Sequence, residues 1–413
     1  MLRCDPHGPE MINNEEFAHI IDSYGTPTYV FDENEVRTRT QKIRDILGRV
    51  SLCYSVKANP FLIPALIPAV KYFEVCSPGE LSICKAFKVP PDMIIYSGVH
   101  KEADDIEKAI EYGAAIITAE SVRHRELICE ASKKYGKPTN VILRLTSKNQ
   151  FGMSLEDVRS VLSNPCESIK IIGMHYFAGT GRKQNNMREK ELDMLAATIR
   201  DLREESGLEL PMLEYGPGLP FPYFTDEDHS DTLKPLNELV ESLDKVSDDI
   251  ILSVEMGRFI ASSCGYYITS VCDIKNNADS DWCIIDGGIN HINYLGQMMG
   301  MKTPVIRHFR DGEEIGDNME TGEADNKVAG DSDEYTVCGS LCTTNDIVVR
   351  KLRLNDLRIG DTLIFTNIGA YSATESMGLF LSRTLPRIVM FGDNGPRLVR
   401  DHIETWKINT WDR

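Results

Sequence analysis

Leu52-Cys53-Tyr54-Ser55-Val56-Lys57-Ala58-Asn59-Pro60 is an apolar run that ends on a lysine and then turns at once. A lysine in that place is poorly solvated, and it has two readings. Its ammonium either escapes to water at a strand end, or it sits in a pocket. In a pocket, desolvation lowers its pKa until the amine can attack a carbonyl and form a Schiff base. The rest of the chain decides between them.

Outward from this stretch the same texture repeats. Strand-like runs at 28–31, 52–56, 72–76, 93–96, 115–118, 141–145, 169–172, 212–215 and 250–255 alternate with helical segments such as 33–47, 104–112, 121–135, 190–205 and 232–246. Strands alternating with helices of this size make parallel βαβ units, and eight or nine of them favour a closed, TIM-like (β/α)8 barrel over an open sheet. The barrel is expected over residues 26–260, behind an irregular polar lead-in at 1–25 that packs on the second domain. After residue 260 the runs at 264–271, 282–286, 335–338, 362–366 and 387–391 are rich in β-branched and aromatic residues, with no long helices between them. Residues 261–413 are therefore expected to form an antiparallel β-sandwich or β-barrel domain. Inside it, 309–334 is Gly-rich, acidic and nearly free of large apolar side chains, and is expected to be a loop.

The chain has 413 residues and a formal charge of −18, which argues against sequence-independent binding to nucleic acid or to an anionic membrane. No stretch approaches the roughly 20 apolar residues that span a bilayer, and Met1-Leu2-Arg3-Cys4-Asp5-Pro6 does not open a signal peptide. A cytoplasmic protein with a small ligand is the expectation. Its 11 cysteines are scattered singly without a CxxC pair, so reduced thiols are expected rather than a disulfide framework or a metal site.

In such a barrel the chemistry lies at the carboxyl ends of the strands. Glu214-Tyr215-Gly216-Pro217-Gly218 runs from a strand into a glycine turn, which either offers N–H groups to a phosphate or is an ordinary turn. Gly173-Met174-His175-Tyr176-Phe177-Ala178-Gly179-Thr180 places aromatics and a hydroxyl at another strand end. Glu255-Met256-Gly257-Arg258 places a carboxylate and a guanidinium at the last one. An amine, a phosphate turn, an aromatic face and a carboxylate for a pyridine nitrogen are together what pyridoxal 5'-phosphate requires.

On these motifs, in this order, the chain resembles the barrel-type (fold type III, alanine-racemase-like) pyridoxal-phosphate decarboxylases of diaminopimelate, ornithine and arginine over nearly its whole length. The resemblance implies that Lys57 bonds the cofactor and that Glu255 faces its pyridine nitrogen. It also implies that Gly216, Gly218, Thr180, Gly257 and Arg258 hold the phosphate, and that Glu74 and Arg144 lie beside the ring. From the second domain, Gly369-Ala370-Tyr371 would bring Tyr371 to the phosphate. Cys338-Gly339-Ser340-Leu341-Cys342-Thr343-Thr344-Asn345-Asp346 resembles the family segment whose cysteine enters the neighbouring subunit's site. Cys342 is then the proton donor and the protein a homodimer with shared active sites.

Departures from the family pattern bear on substrate. Thr343 stands where the diamine enzymes carry an acid for the substrate's distal ammonium, and burying that ammonium without a carboxylate is costly. Asp286-Gly287-Gly288-Ile289-Asn290-His291-Ile292-Asn293-Tyr294 lacks the arginine that the diaminopimelate enzymes place there. Both features are more similar to biosynthetic-cluster members such as the butirosin-pathway enzyme, which acts on carrier-linked glutamate. The expected substrate is an amino acid with an extended side chain, met by His175, Thr343, Asp346 and Tyr294. Phe177 replaces the histidine that usually stacks on the ring. If the substrate is tethered to an acidic carrier protein, Arg182, Lys183, Arg188 and Lys190 are the candidate docking face, and their plainer reading is a solvated helix start. A free diamino acid decarboxylase and an amino-acid racemase are the alternative activities, and a non-catalytic binding relative is the alternative class.

Overall fold

The computed structural model describes residues 12–277, 280–294, 300–319 and 333–411. The chain divides into two compact units. One is a closed ring of eight parallel strands: β2 (Ser51–Ser55), β3 (Tyr72–Val75), β4 (Ile94–Tyr96), β5 (Ile116–Ala119), β6 (Thr139–Arg144), β7 (Ile169–Phe177), β8 (Met212–Gly216) and β9 (Ile251–Met256). All eight correspond to runs that the sequence marks as strands. The strands are nearly continuous in their burial, as expected of a parallel sheet covered by helices. Those helices carry clear stop and start signals. Ala103–Tyr112 ends on Gly113 in the left-handed region at φ 93°, and Val122–Tyr135 opens on Ser121, whose hydroxyl accepts the His124 N–H. Toward its amino end the barrel interior is apolar, with Cys53, Ile95, Ile116, Ile142 and Met212 packed together.

The second unit is a mixed sheet. Its central strand is β1 (Thr28–Asp32), buried along its whole length, which runs antiparallel to β10 (Gly265–Asn277) and parallel to β17 (Arg387–Gly392). Thus the first strand of the chain joins this sheet and not the ring. The sheet continues through β16 (Thr362–Phe365), β12 (Ile306–Arg310) and β13 (Glu313–Asp317) on one side and β18 (Gly395–Arg400) on the other. β11 (Ser280–Ile285), β14 (Asp333–Cys338) and β15 (Ile347–Leu354) branch from β10, with β11 and β14 parallel.

Three sequence expectations are corrected here. Part of the lead-in is a helix, Asn14–Tyr24, closed by a reciprocal cap in which Asn13 Oδ1 accepts the Glu16 N–H at 3.0 Å and Glu16 Oε2 accepts the Asn13 N–H at 2.8 Å. Its buried face, Phe17 and Ile20, packs with Val30, Ile268, Phe309, Ile364 and Val389. Next, the acidic stretch 309–334 is not wholly a loop, because β12 and β13 form a hairpin and Phe309 is a core residue. Its acidity is offset across the strands, where Arg307 donates to both oxygens of Glu314 at 2.7 and 2.9 Å. Residues 320–332 lie outside the described residues. Finally, Cys129 and Cys166 form a disulfide, with Cα atoms 6.5 Å apart. The other cysteines among the described residues are free thiols.

Phe17 is fully buried and its ring meets Tyr266 edge-on at 5.0 Å. Phe17→Ala is expected to cost about 3–5 kcal/mol of stability in this unit, read as a lower denaturant midpoint by near-ultraviolet circular dichroism.

Candidate active site

Lys57 follows β2 in the single turn Val56–Ala58. Its Nζ lies 2.7 Å from Glu74 Oε2 on β3 and 3.3 Å from Glu255 Oε1 on β9, with Cys76 Sγ at 3.7 Å. Both carboxylates are buried and each has further donors. The Cys76 thiol donates to Glu74 Oε1 at 3.2 Å, and the Ser55 hydroxyl donates to Glu255 Oε1 at 2.8 Å. His175 Nε2 lies 3.2 Å from Glu255 Oε2. Burial alone would raise the Glu255 pKa, but the Lys57 ammonium and His175 overturn that and hold it well below the usual carboxylate range. The pocketed reading of Lys57 is the one this arrangement matches, for the amine faces carboxylates within the ring mouth.

Arg144, at the end of β6, donates to Glu120 Oε1 at 2.6 Å, and its guanidinium lies 4.7 Å from the Phe151 ring. Glu120 Oε2 accepts the Gly152 N–H at 3.2 Å. Nearby, Lys101 is buried and donates to the Gly98 carbonyl, and burial pulls its pKa down to about 8. Sequence reading named neither Glu120, Cys76 nor Lys101. The strand-end rule could have found the first two, which directly follow β5 and β3.

Two glycine-bearing loops meet at the next strand ends. The Arg182 N–H donates to the Gly218 carbonyl at 2.9 Å. Gly218 has φ +60°, and a Cβ there would lie 1.8 Å from the Gly179 carbonyl oxygen, so only glycine lets the loops approach. Gly216 is equally confined, since a Cβ would meet the Phe177 ring at 2.5 Å. Thr180 is exposed on the same loop, and Gly257 and Arg258 follow β9. At these strand ends the two glycines bring backbone and ring into contact where no side chain would fit. Of the neighbouring basic run, the two arginines are engaged within the protein, while Lys183 and Lys190 are exposed. Arg182 makes a bidentate pair with Glu191 at 2.8 and 2.6 Å, and Arg188, 1% exposed, donates to the Arg182 carbonyl and to Asn185 Oδ1. Guanidinium forks matched to internal acceptors have little left for a partner.

The remaining expected residues belong to the other unit. Cys342 is exposed and Thr343 half-buried on the loop between β14 and β15. Asp346 clamps that loop, its carboxylate accepting the Ile289 N–H at 2.9 Å and the Leu341 N–H at 2.7 Å. Tyr294 is a core residue whose hydroxyl donates to the Thr366 carbonyl at 2.6 Å. The polar atoms of Asp346 and Tyr294, both expected to meet substrate, are thus engaged within their own unit. His175, expected likewise, is 1% exposed and backs Glu255. Tyr371 holds φ +68°, unusual for a bulky residue, and its carbonyl accepts the Thr374 and Glu375 N–H groups at 2.9 and 2.8 Å.

The sequence profile described as "Pyridoxal-dependent decarboxylase, pyridoxal binding domain" matches residues 33–262, more than half of the chain. The chain belongs to this decarboxylase family. Its cofactor is pyridoxal 5'-phosphate and its reaction class is decarboxylation. The chain is similar to diaminopimelate decarboxylase from Methanocaldococcus jannaschii, 24% identical across 95% of this chain and 92% of the relative. It is also similar to the L-glutamyl-[BtrI acyl-carrier protein] decarboxylase of Niallia circulans, 24% identical across 94% of each. The crystal structure of M. jannaschii diaminopimelate decarboxylase in complex with L-lysine superimposes with a TM-score of 0.81 at 23% identity, covering 96% of this chain and 94% of that one, and shares the fold. The residues at the ring mouth are of the kind this cofactor needs: an amine, an ionised carboxylate and two glycine-confined loops.

His124 stands behind this site. It is 7% exposed, its Nδ1 accepts the Glu120 N–H at 3.4 Å, and burial, reinforced by Lys101, lowers its pKa from 6.5 to about 4. Between those values the unfolded chain takes up a proton that the native state refuses, so stability falls as pH drops from 6.5 to about 4. Urea midpoints measured across that window should fall less steeply in His124→Gln than in the parent; parallel curves would exclude His124 as the cause.

Proposed function

We propose that this chain removes the α-carboxylate of an amino acid whose side chain is extended by a carrier, nucleotide or other bulky group and has no free distal ammonium. The observation that carries this reading is Thr343. It stands one residue after Cys342, and it is neutral where enzymes acting on diamines carry an acid. The similarity to a decarboxylase whose named substrate is a carrier-linked L-glutamyl group supports the reading. Similarity to diaminopimelate decarboxylase supports a free diamino acid as the second reading.

When bound, pyridoxal phosphate supplies an aldehyde carbon that amines can bond and a ring that takes up an electron pair. In this proposal Lys57 is the amine that holds it. Glu74, at 2.7 Å, keeps the lysine aimed and accepts its proton. Glu255, held anionic, would keep the ring nitrogen protonated. Phe177 would pack against the ring, and Arg144, tied to Glu120, would lie beside it. Gly216, Gly218, Thr180, Gly257 and Arg258 would hold the phosphate, with Tyr371 as a further contact. Once carbon dioxide has left, Cys342 from the partner subunit of a homodimer gives the proton that the α-carbon needs. The strained backbone of Tyr371 fits a residue held for function. Asp346, with its carboxylate on two loop amides, acts on substrate only by fixing the loop that carries Cys342 and Thr343.

Purified protein loaded with pyridoxal phosphate is expected to absorb in the visible. Lys57→Ala should lose that band while still binding the cofactor reversibly, and a band that persists excludes Lys57. Carbon dioxide release from a panel of lysine, ornithine, diaminopimelate and γ-extended glutamates tests the substrate. Release from the extended compounds alone is expected, with Thr343→Asp gaining measurable turnover of free lysine or ornithine. Rapid parental turnover of a free diamino acid would instead establish the second reading. Cys342→Ala should lower product formation by about 10²–10⁴-fold if its thiol is the proton donor, and an unchanged rate excludes that role.

A further inference from the structure

Strand register sets three inward side chains side by side in the barrel core. His175 on β7 is paired with Glu214 on β8, and Glu214 with Ser253 on β9. They are 1%, 0% and 0% exposed. His175 Nδ1, both Glu214 carboxyl oxygens and Ser253 Oγ are buried with no partner of hydrogen-bond geometry. Buried polar atoms without partners are costly, and adjacent ones call for a common explanation. The chemistry proposed above does not use Glu214.

What faces Glu214 limits its state. The Cys53 thiol, a weak donor, lies against it, and Glu255 from the adjacent β9 and Glu74, Lys57 and the Tyr72 hydroxyl from strands farther round the ring act on it. Lys57 is already held by Glu74 and Glu255. A second fully buried anion beside Glu255 would have no cation of its own. Burial, followed by the charges of Glu255 and Glu74, pushes the Glu214 pKa well above the carboxylate range. The imidazole beside it has one free nitrogen, because Nε2 is spent on Glu255 Oε2 at 3.2 Å. Adjacent strands lie about 4.8 Å apart, a gap that a glutamate side chain spans by rotating about its own torsions.

We propose that Glu214 is a positioning residue: a neutral carboxylic acid whose O–H donates to His175 Nδ1 and thereby fixes His175 as an Nε2–H donor to Glu255. One proton then resides on Glu214, one on His175 Nε2 and none on Glu255. Both Glu255 oxygens receive a donor, Ser55 on Oε1 and His175 on Oε2. The carboxylate is thus kept ionised from behind, through a relay that touches neither cofactor nor substrate. This inference rests on the reading of Glu255 as the partner of the ring nitrogen.

Two measurements test it. In the infrared difference spectrum of the protein as purified at neutral pH, parent minus Glu214→Gln, the carbonyl stretch of a protonated carboxylic acid is expected, shifting on deuteration. A difference containing only carboxylate bands overturns the proposal. In the loaded protein, the pH dependence of the visible absorbance is the second readout. Glu214→Gln, whose amide can donate to Nδ1, should keep the parental profile. Glu214→Leu fills the space without a donor and should move the profile upward by at least one pH unit, because Glu255 then takes a proton more readily. Identical profiles for the Gln and Leu variants overturn the proposal. If no form takes up pyridoxal phosphate, it is the site reading that fails, and the infrared result still decides the state of Glu214.

Discussion

Everything at the ring mouth depends on one pairing, that of β2 with β9. The first and last strands of the barrel run side by side in register, Ser51 opposite Ser253 and Cys53 opposite Glu255. Without that closure the amine and its carboxylate would sit at opposite edges of an open sheet. With it, Ser55 and Glu255, 200 positions apart in sequence, are joined by a 2.8 Å hydrogen bond. Closing so long a loop costs entropy that grows only slowly with length, and a full ring of ladder bonds offsets it.

The interior that results is graded. Near the amino ends of the strands it is filled by aliphatic side chains, while toward the carboxyl ends Glu74, Glu255, His175, Arg144 and Glu120 enter it. Ionised groups are admitted there because each is matched: Lys57 by two carboxylates, Arg144 by Glu120, Glu255 by a hydroxyl and an imidazole. Such matching is what lets a carboxylate stay ionised in a place where burial alone would neutralise it.

The barrel was largely legible in the sequence because each βα unit carries its own signals, an apolar run and then an amphipathic helix, and because strand ends announce chemistry by position. Lys57 and Glu255 could be named on that basis and Glu74 from the family resemblance, and the structure places both carboxylates within hydrogen-bond or ion-pair reach of Lys57. What escaped depends on distant partners. The acidic composition of 309–334 reads as a loop until Arg307 is seen across the hairpin. In the run from Arg182 to Lys190, nothing local shows that Glu191 takes up one of the arginines. Asp346 looks like a ligand-facing acid, yet it is a clamp on backbone amides, and no local pattern distinguishes the two. The Cys129–Cys166 bridge spans 37 residues with a strand and a helix between them, so its spacing carries no motif. The helix Asn14–Tyr24, by contrast, had a readable signal in Asn13 and Glu16 that composition obscured.

The placement of β1 sets an order of events on the ribosome. Its parallel neighbour, β17, begins at Arg387, far downstream of the whole barrel, so the unit that contains both cannot complete its sheet until long after the barrel strands have been made. Barrel strands pair only with one another and span 51–256, so their ring can close while that unit is still being made. Until β17 is made, β1 has at least one edge unsatisfied, the kind of exposed strand that recruits wrong partners. The nascent chain therefore carries an incompletely paired strand through the synthesis of the whole ring.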